Sequence, residues 1–181
     1  NLKAKSNKLN YVLDLVEKFL DSHPEFEFDI DTKGNVKDIL AKLLPQMMQY
    51  ATFKDSGLKN RFKNLMDSIF NAADKEGNET LKSILTSIKA NKSNSLNVFE
   101  QALTNSKLQT QLKTIKVGPT TLLERVGETI LRLLGIKTKQ ESAMAHIYDM
   151  LEEMAGTSYE KEVSLTHLQN NSVAALNFSK Y

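Results

Sequence analysis

Two groups of side chains have spacings that chemistry could use. The run Asp29-Ile30-Asp31-Thr32-Lys33-Gly34 partly matches a calcium loop. Such a loop places oxygen ligands at positions one, three and five, glycine at six and a bidentate acid at twelve. Asp29, Asp31 and Gly34 fit, but Lys33 takes the fifth position and Leu40 the twelfth. A cation at a ligand position repels the ion it should hold, so the run reads as a turn. His146, Asp149 and Glu153 recur at helical spacing and share one face. Zinc would need a further nitrogen or sulfur donor. His23 and His167 stand at no characteristic spacing, so the group reads as a solvated polar face. Glu128 and Arg132 are spaced as a helix-supporting ion pair, with Glu124 one turn earlier.

Nucleophile and phosphate signatures are missing. The sequence contains no G-x-S-x-G elbow, P-loop, G-x-G-x-x-G, H-E-x-x-H or kinase set, and no cysteine. Its serines lack a recognisable base partner. The chain is therefore expected to be non-catalytic, with no cofactor, no metal and no small-molecule substrate. An enzyme domain could still lie elsewhere in a parent chain.

Charge suggests binding instead. The net charge is +2, but it is unevenly spread. Segment 42–116 carries twelve basic and six acidic residues, a net of +6, whereas 1–41 carries six and eight. A basic segment attracts polyanions. Its bland counterpart is a lysine-solvated helical surface. Nucleic-acid binders favour arginine for bidentate contacts, and this lysine-dominated segment has Arg61 as its one arginine, which favours the bland reading. Lys59, Arg61 and Lys63 are the cationic candidates for partner binding. Phe26, Phe28 and Ile30 are the apolar ones. They alternate with Glu25, Glu27 and Asp29 in strand periodicity. With no second strand to pair with, Pro24–Ile30 is expected to be a linker inserting its phenylalanines into the core, or an edge that joins another chain.

The elements that must position these residues are helical. Leu9, Val12, Leu13, Val16 and Leu20 form a first stripe, which ends at His23-Pro24. Further stripes fall from about Val36 through Ile39, Leu40, Leu43, Leu44, Met47 and Met48, where Pro45 should kink or split the helix, and at 58–73 beyond a Ser56-Gly57 break. Others follow at 79–90, around 96–103, and at 108–115 behind a Ser106 cap. The clearest pattern is Pro119–Gly156. Thr121 and Glu124 form a capping box, Gly135 suits a left-handed helix end, Thr138 and Glu141 form a second box, and Gly156 closes the stretch. Two helices with so short a join imply an antiparallel hairpin. Beyond it, 157–181 is rich in Ser, Asn and Thr and reads as a short helix near 165–176 or as a strap over a neighbouring subunit.

No apolar run approaches the roughly 18 residues a membrane helix needs, and no secretory leader pattern is present. The six methionines lie mostly on apolar stripes, so core filling is expected, and membrane docking is the weaker reading. The chain begins at Asn1, as a processed product or a stretch of a longer polypeptide would.

The hairpin LLERVGETILRLLGIKTKQESAMAHIYDMLEEMAG resembles a segment of giant multi-domain virion proteins of tailed bacteriophages, the polyvalent and ejected proteins. There an amphipathic helix ends in a leucine-leucine-glycine turn, like Leu133-Leu134-Gly135. A second helix with alanine and leucine follows, like Ala143, Ala145 and Leu151. The resemblance covers about 38 of 181 residues. It implies a helical piece of a long virion-packaged chain that is delivered into the bacterial host.

The expected fold is all-α, an irregular bundle of six to eight short helices over 1–156, with the hairpin at 119–156 and an irregular tail at 157–181. The expected role is structural, packing against other virion proteins or copies of itself, with DNA as a further partner. The alternative is a lysine-rich helical nucleic-acid-binding module.

Overall fold

Four short polar side chains set where helices begin. Asn35, Asp55, Asn105 and Thr121 each accept a hydrogen bond from a backbone N–H in the first turn that follows. Those N–H groups have no partner within the helix, so a side-chain oxygen there both satisfies them and fixes the start. The chain's structure, a computed structural model, describes residues 7–30, 33–138 and 140–156.

Eight α-helices are described: α1 (Asn10–Ser22), α2 (Val36–Lys54), α3 (Ser56–Ala73), α4 (Glu79–Ser87), α5 (Ser95–Thr104), α6 (Ser106–Thr114), α7 (Leu122–Leu133) and α8 (Glu141–Met154). Two 3-10 turns, Asn7–Leu9 and Lys92–Asn94, precede α1 and α5. The fold is all-α, as expected. The sheet among the described residues is a two-stranded antiparallel ribbon, β1 (Lys116–Val117) with β2 (Thr120–Thr121).

That ribbon places Pro119 in a β-turn, ahead of the helices that the sequence pattern has it open. Val117 pairs with Thr120, so Gly118 and Pro119 form a two-residue turn. Gly118 has φ +69°, while the proline ring holds Pro119 negative. Positive then negative φ is the type II′ pattern, which suits the twist of a β-hairpin.

α7 is the element around which the bundle closes. It lies against α3, α6 and α8 and also touches α2. Leu122, Leu123, Val126, Gly127, Thr129, Ile130, Leu131 and Leu133 are all buried on it. The core continues through Val12, Leu13 and Val16 of α1, Leu40, Leu44 and Met48 of α2, and Ile147, Met150 and Leu151 of α8. Five of the six methionines, Met47, Met48, Met66, Met144 and Met150, are at most 4% exposed, and Met154 is 5% exposed, so all fill the core.

Several boundaries differ from expectation for identifiable reasons. α2 runs unbroken through Pro45. Proline inside a helix costs about 3 kcal/mol. Leu43, Leu44, Pro45, Met47 and Met48 are all buried around it, and each buried apolar side chain contributes about 1.5–3 kcal/mol. Burial therefore outweighs the break. α3 begins at Ser56 because Asp55 caps it, accepting from Gly57 and Leu58 N–H, so the division falls one residue before Ser56-Gly57. α6 is capped by Asn105, not Ser106. α8 starts at Glu141 with no side-chain cap, so Thr138 does not act as one.

α4 stops at Ser87, short of Ala90, because Lys89 turns left-handed at φ +56°. Ala90 N–H then donates to Leu85 O, the bond that closes a Schellman ending. α7 ends the same way, with Gly135 at φ +92° and Ile136 N–H bonded to Leu131 O.

Candidate interaction surfaces

After a turn at Pro24-Glu25, closed by Phe26 N–H on His23 O, residues 26–30 follow as a strap without regular secondary structure. It is fastened along α2. Gln46 bonds both the N–H and the carbonyl of Asp29, at 2.9 and 3.1 Å, and the Tyr50 hydroxyl donates to Glu25. Phe26 is buried and packs against Phe19 and Tyr50, with ring centroids 5.9 and 4.9 Å away. Ile30 is half-buried against the core. The Phe28 ring lies tilted against Phe26, with centroids 5.4 Å apart, yet remains 40% exposed. Of the three apolar candidates, Phe26 and Ile30 thus serve the fold, and Phe28 faces outward. Phe53, one turn beyond Tyr50 on α2, is 91% exposed. It was not among the expected contact residues, although Gln46, Tyr50 and Phe53 follow helical spacing along one stripe.

The cationic candidates divide similarly. Lys63 pairs with Asp67 at 3.0 Å, and Lys59 is exposed. Arg61 is in a different setting. It lines two adjoining surface clefts of about 400 and 250 Å³ between α3 and α7. Arg125 lines the first, Arg132 and Lys137 line the second, and Glu128 lines both. Arg125 is partly structural, since its Nη2 donates to Val117 O at 2.9 Å and its Nε to Thr120 Oγ1 at 3.0 Å. It therefore anchors the β-turn to α7. Spacing alone would not reveal this convergence, because Arg61 and Arg125 are far apart in sequence.

A third cleft of about 480 Å³ lies between α6, the start of α7 and α8. Leu123 and Leu151 give it an apolar wall, and Lys113, Glu124, Tyr148 and Glu152 give it mixed polar groups. Glu124, Tyr148 and Glu152 are each engaged by other groups.

The metal-like spacings are absorbed into packing. The His146 ring stacks on Tyr11 at 4.3 Å, and Glu153 pairs with Lys37 at 3.4 Å. His23 stacks on Phe19, and its Nδ1 lies 2.8 Å from Phe19 O. Among the described residues no three His, Asp or Glu side chains are placed to hold a metal ion. Asp31, His167 and the whole of 157–181 lie outside the described residues. Among those described, no helix is long and apolar enough to cross a membrane.

No protein-family model matches this chain, and no curated protein and no solved structure matches it either.

Proposed function

We propose that this chain is a non-catalytic interaction segment of a virion-internal or ejected protein of a tailed bacteriophage. It packs against other virion proteins or against copies of itself. The outward Phe28 carries the contact, on a strap that Gln46 and Tyr50 hold against α2. What supports the reading is that Phe28 is exposed while its neighbour Phe26 is buried beneath it. An aromatic ring mounted on an anchored backbone loses little freedom on binding, which favours it as a contact residue. The phage assignment rests on the α7–α8 sequence pattern described above.

Mass spectrometry of purified phage particles from the source genome tests the assignment. Peptides from these residues should appear in the particle. Their appearance only in lysate, with particles devoid of them, would refute it. Sedimentation of the isolated chain separates the two partners. Self-association that Phe28→Ser abolishes identifies a second copy, and a monomer excludes it as the partner.

A further inference from the structure

We infer that the groove between α3 and α7 binds the phosphodiester backbone of a nucleic acid. The chain has twenty-four basic residues, but only three are arginine: Arg61, Arg125 and Arg132. All three line the two adjoining clefts on this face. Lysine suffices for solubility and serves it elsewhere on the molecule. Guanidinium differs in offering a planar fork that matches phosphate oxygens two at a time.

The groove has a net charge of +3, from Arg61, Arg125, Arg132 and Lys137 against Glu128. Among the described residues neither Arg61 nor Arg132 has an ion-pair partner. Their donors remain available to an incoming anion.

Spacing selects the kind of anion. Arg125 and Arg132 are seven residues apart on α7, a rise of about 10.5 Å. The phosphates of one duplex strand wind around the axis as they rise about 3.4 Å per step, so neighbours stand further apart than that rise and a short run of them spans such a distance. A row of phosphates can therefore meet both ends of the groove, with Arg61 contributing from the facing helix. No aromatic side chain lines either cleft, so bases have no stacking platform here. The groove reads backbone charge and not sequence. Glu128, itself engaged by another group, lies between the two α7 arginines, and its carboxylate lowers the affinity for an anion. This site differs from the expected one, a diffuse lysine surface over 42–116, and it does not depend on the strap contact proposed above.

Fluorescence anisotropy with the 181-residue chain and a labelled random-sequence DNA duplex tests the inference. Arg61→Gln/Arg132→Gln should weaken binding about tenfold or more at low salt and make the salt dependence shallower, by about one in slope for each arginine removed. Lys75→Gln/Lys82→Gln removes the same charge from exposed positions outside the groove and should change affinity less than about threefold. Glu128→Gln should tighten binding. Circular dichroism confirms that each variant keeps its helices. Equal weakening by the two double variants would overturn the inference, as would no binding by the parent chain at about 50 mM salt. Displacement by poly-glutamate as effective as by unlabelled DNA would also overturn it, showing an acidic-peptide site instead.

Discussion

The side-chain amide nitrogen of Gln109 lies 3.0 Å from the carbonyl oxygen of Leu151 and donates to it, joining α6 to the last turn of α8. The same nitrogen lies 2.9 Å from Ala102 O and 3.2 Å from Leu103 O, near the end of α5, so its two hydrogens serve three carbonyls and one is shared between two of them. Carbonyls in a helix's last turn lack partners within the helix and carry its negative dipole end. One buried amide thus caps the end of α5 and adds a second bond to Leu151 O, which already accepts from Ala155 N–H. Gln109 is only 7% exposed, so water could not readily take its place.

Gln109→Leu should therefore destabilise the fold by about 2–3 kcal/mol, since unsatisfied buried acceptors cost about 1–3 kcal/mol each and Leu151 O keeps its bond from Ala155 N–H. Urea denaturation measures this. Gln109→Glu should be worse at neutral pH, because a carboxylate facing carbonyls has no proton to donate. Burial raises the pKa of such a carboxyl in the folded state, so the variant should regain stability as pH falls and lose it as pH rises. A variant equally stable at both ends of that range would contradict the capping role.

Gly127 shows why α7 and α8 can approach so closely. A Cβ there would lie 2.9 Å from Met144 Cε and 3.2 Å from Ile147 Cγ2. Gly127→Ala gains up to about 1 kcal/mol of helix propensity. Overpacking costs about 1–3 kcal/mol and should win, because Ile147 is fully buried and cannot move aside. Thermal denaturation should show a lower Tm. Adding Met144→Ala should make the double variant less destabilised than the sum of the two single changes.

Two threonines that look alike in sequence should behave differently. Thr121 Oγ1 accepts from Glu124 N–H at 3.0 Å, so Thr121→Ala should cost about 1 kcal/mol. Thr138→Ala should fall within about 0.5 kcal/mol of the parent, since α8 begins without its help. Matched denaturation curves decide the point. Equal destabilisation would mean that Thr138 caps after all.

Much of this fold could be read from the sequence because helical periodicity and burial agree. Most of the stripe on α1 and the whole of that on α7 fill the core, although Leu20 on α1 and Phe62 and Phe70 on α3 are only half-buried and Leu15 and Phe19 join the core as well; Gly135 turns left-handed where expected. What could not be read depends on neighbours distant in sequence. Gln109 looks like an ordinary polar position until α5 and α8 meet it. Pro45 looks like a breaker until burial around it outweighs its cost. The candidate residues were only partly separable for the same reason. Alternation marks Phe26 and Phe28 as a pair, but only the packing of Phe19 and Tyr50 shows which one is covered. Residue type singles out Arg61, while its arginine neighbours come from another helix.

Lys89 holds a left-handed turn that glycine adopts without strain. Lys89→Gly should stabilise the chain by up to about 1 kcal/mol, with the midpoint of urea unfolding rising and the slope unchanged. A fall in stability would mean that the Lys89 side chain contributes more than its backbone costs.

Phe28→benzoylphenylalanine, irradiated in intact particles, tests the proposed contact most directly. The ring at this position is held outward by a strap that Gln46 and Tyr50 fasten to α2. A cross-link from position 28 to another virion protein, or to a second copy of this chain, is the expected result. Particles that contain the substituted chain but yield only cross-links within it would contradict the proposal.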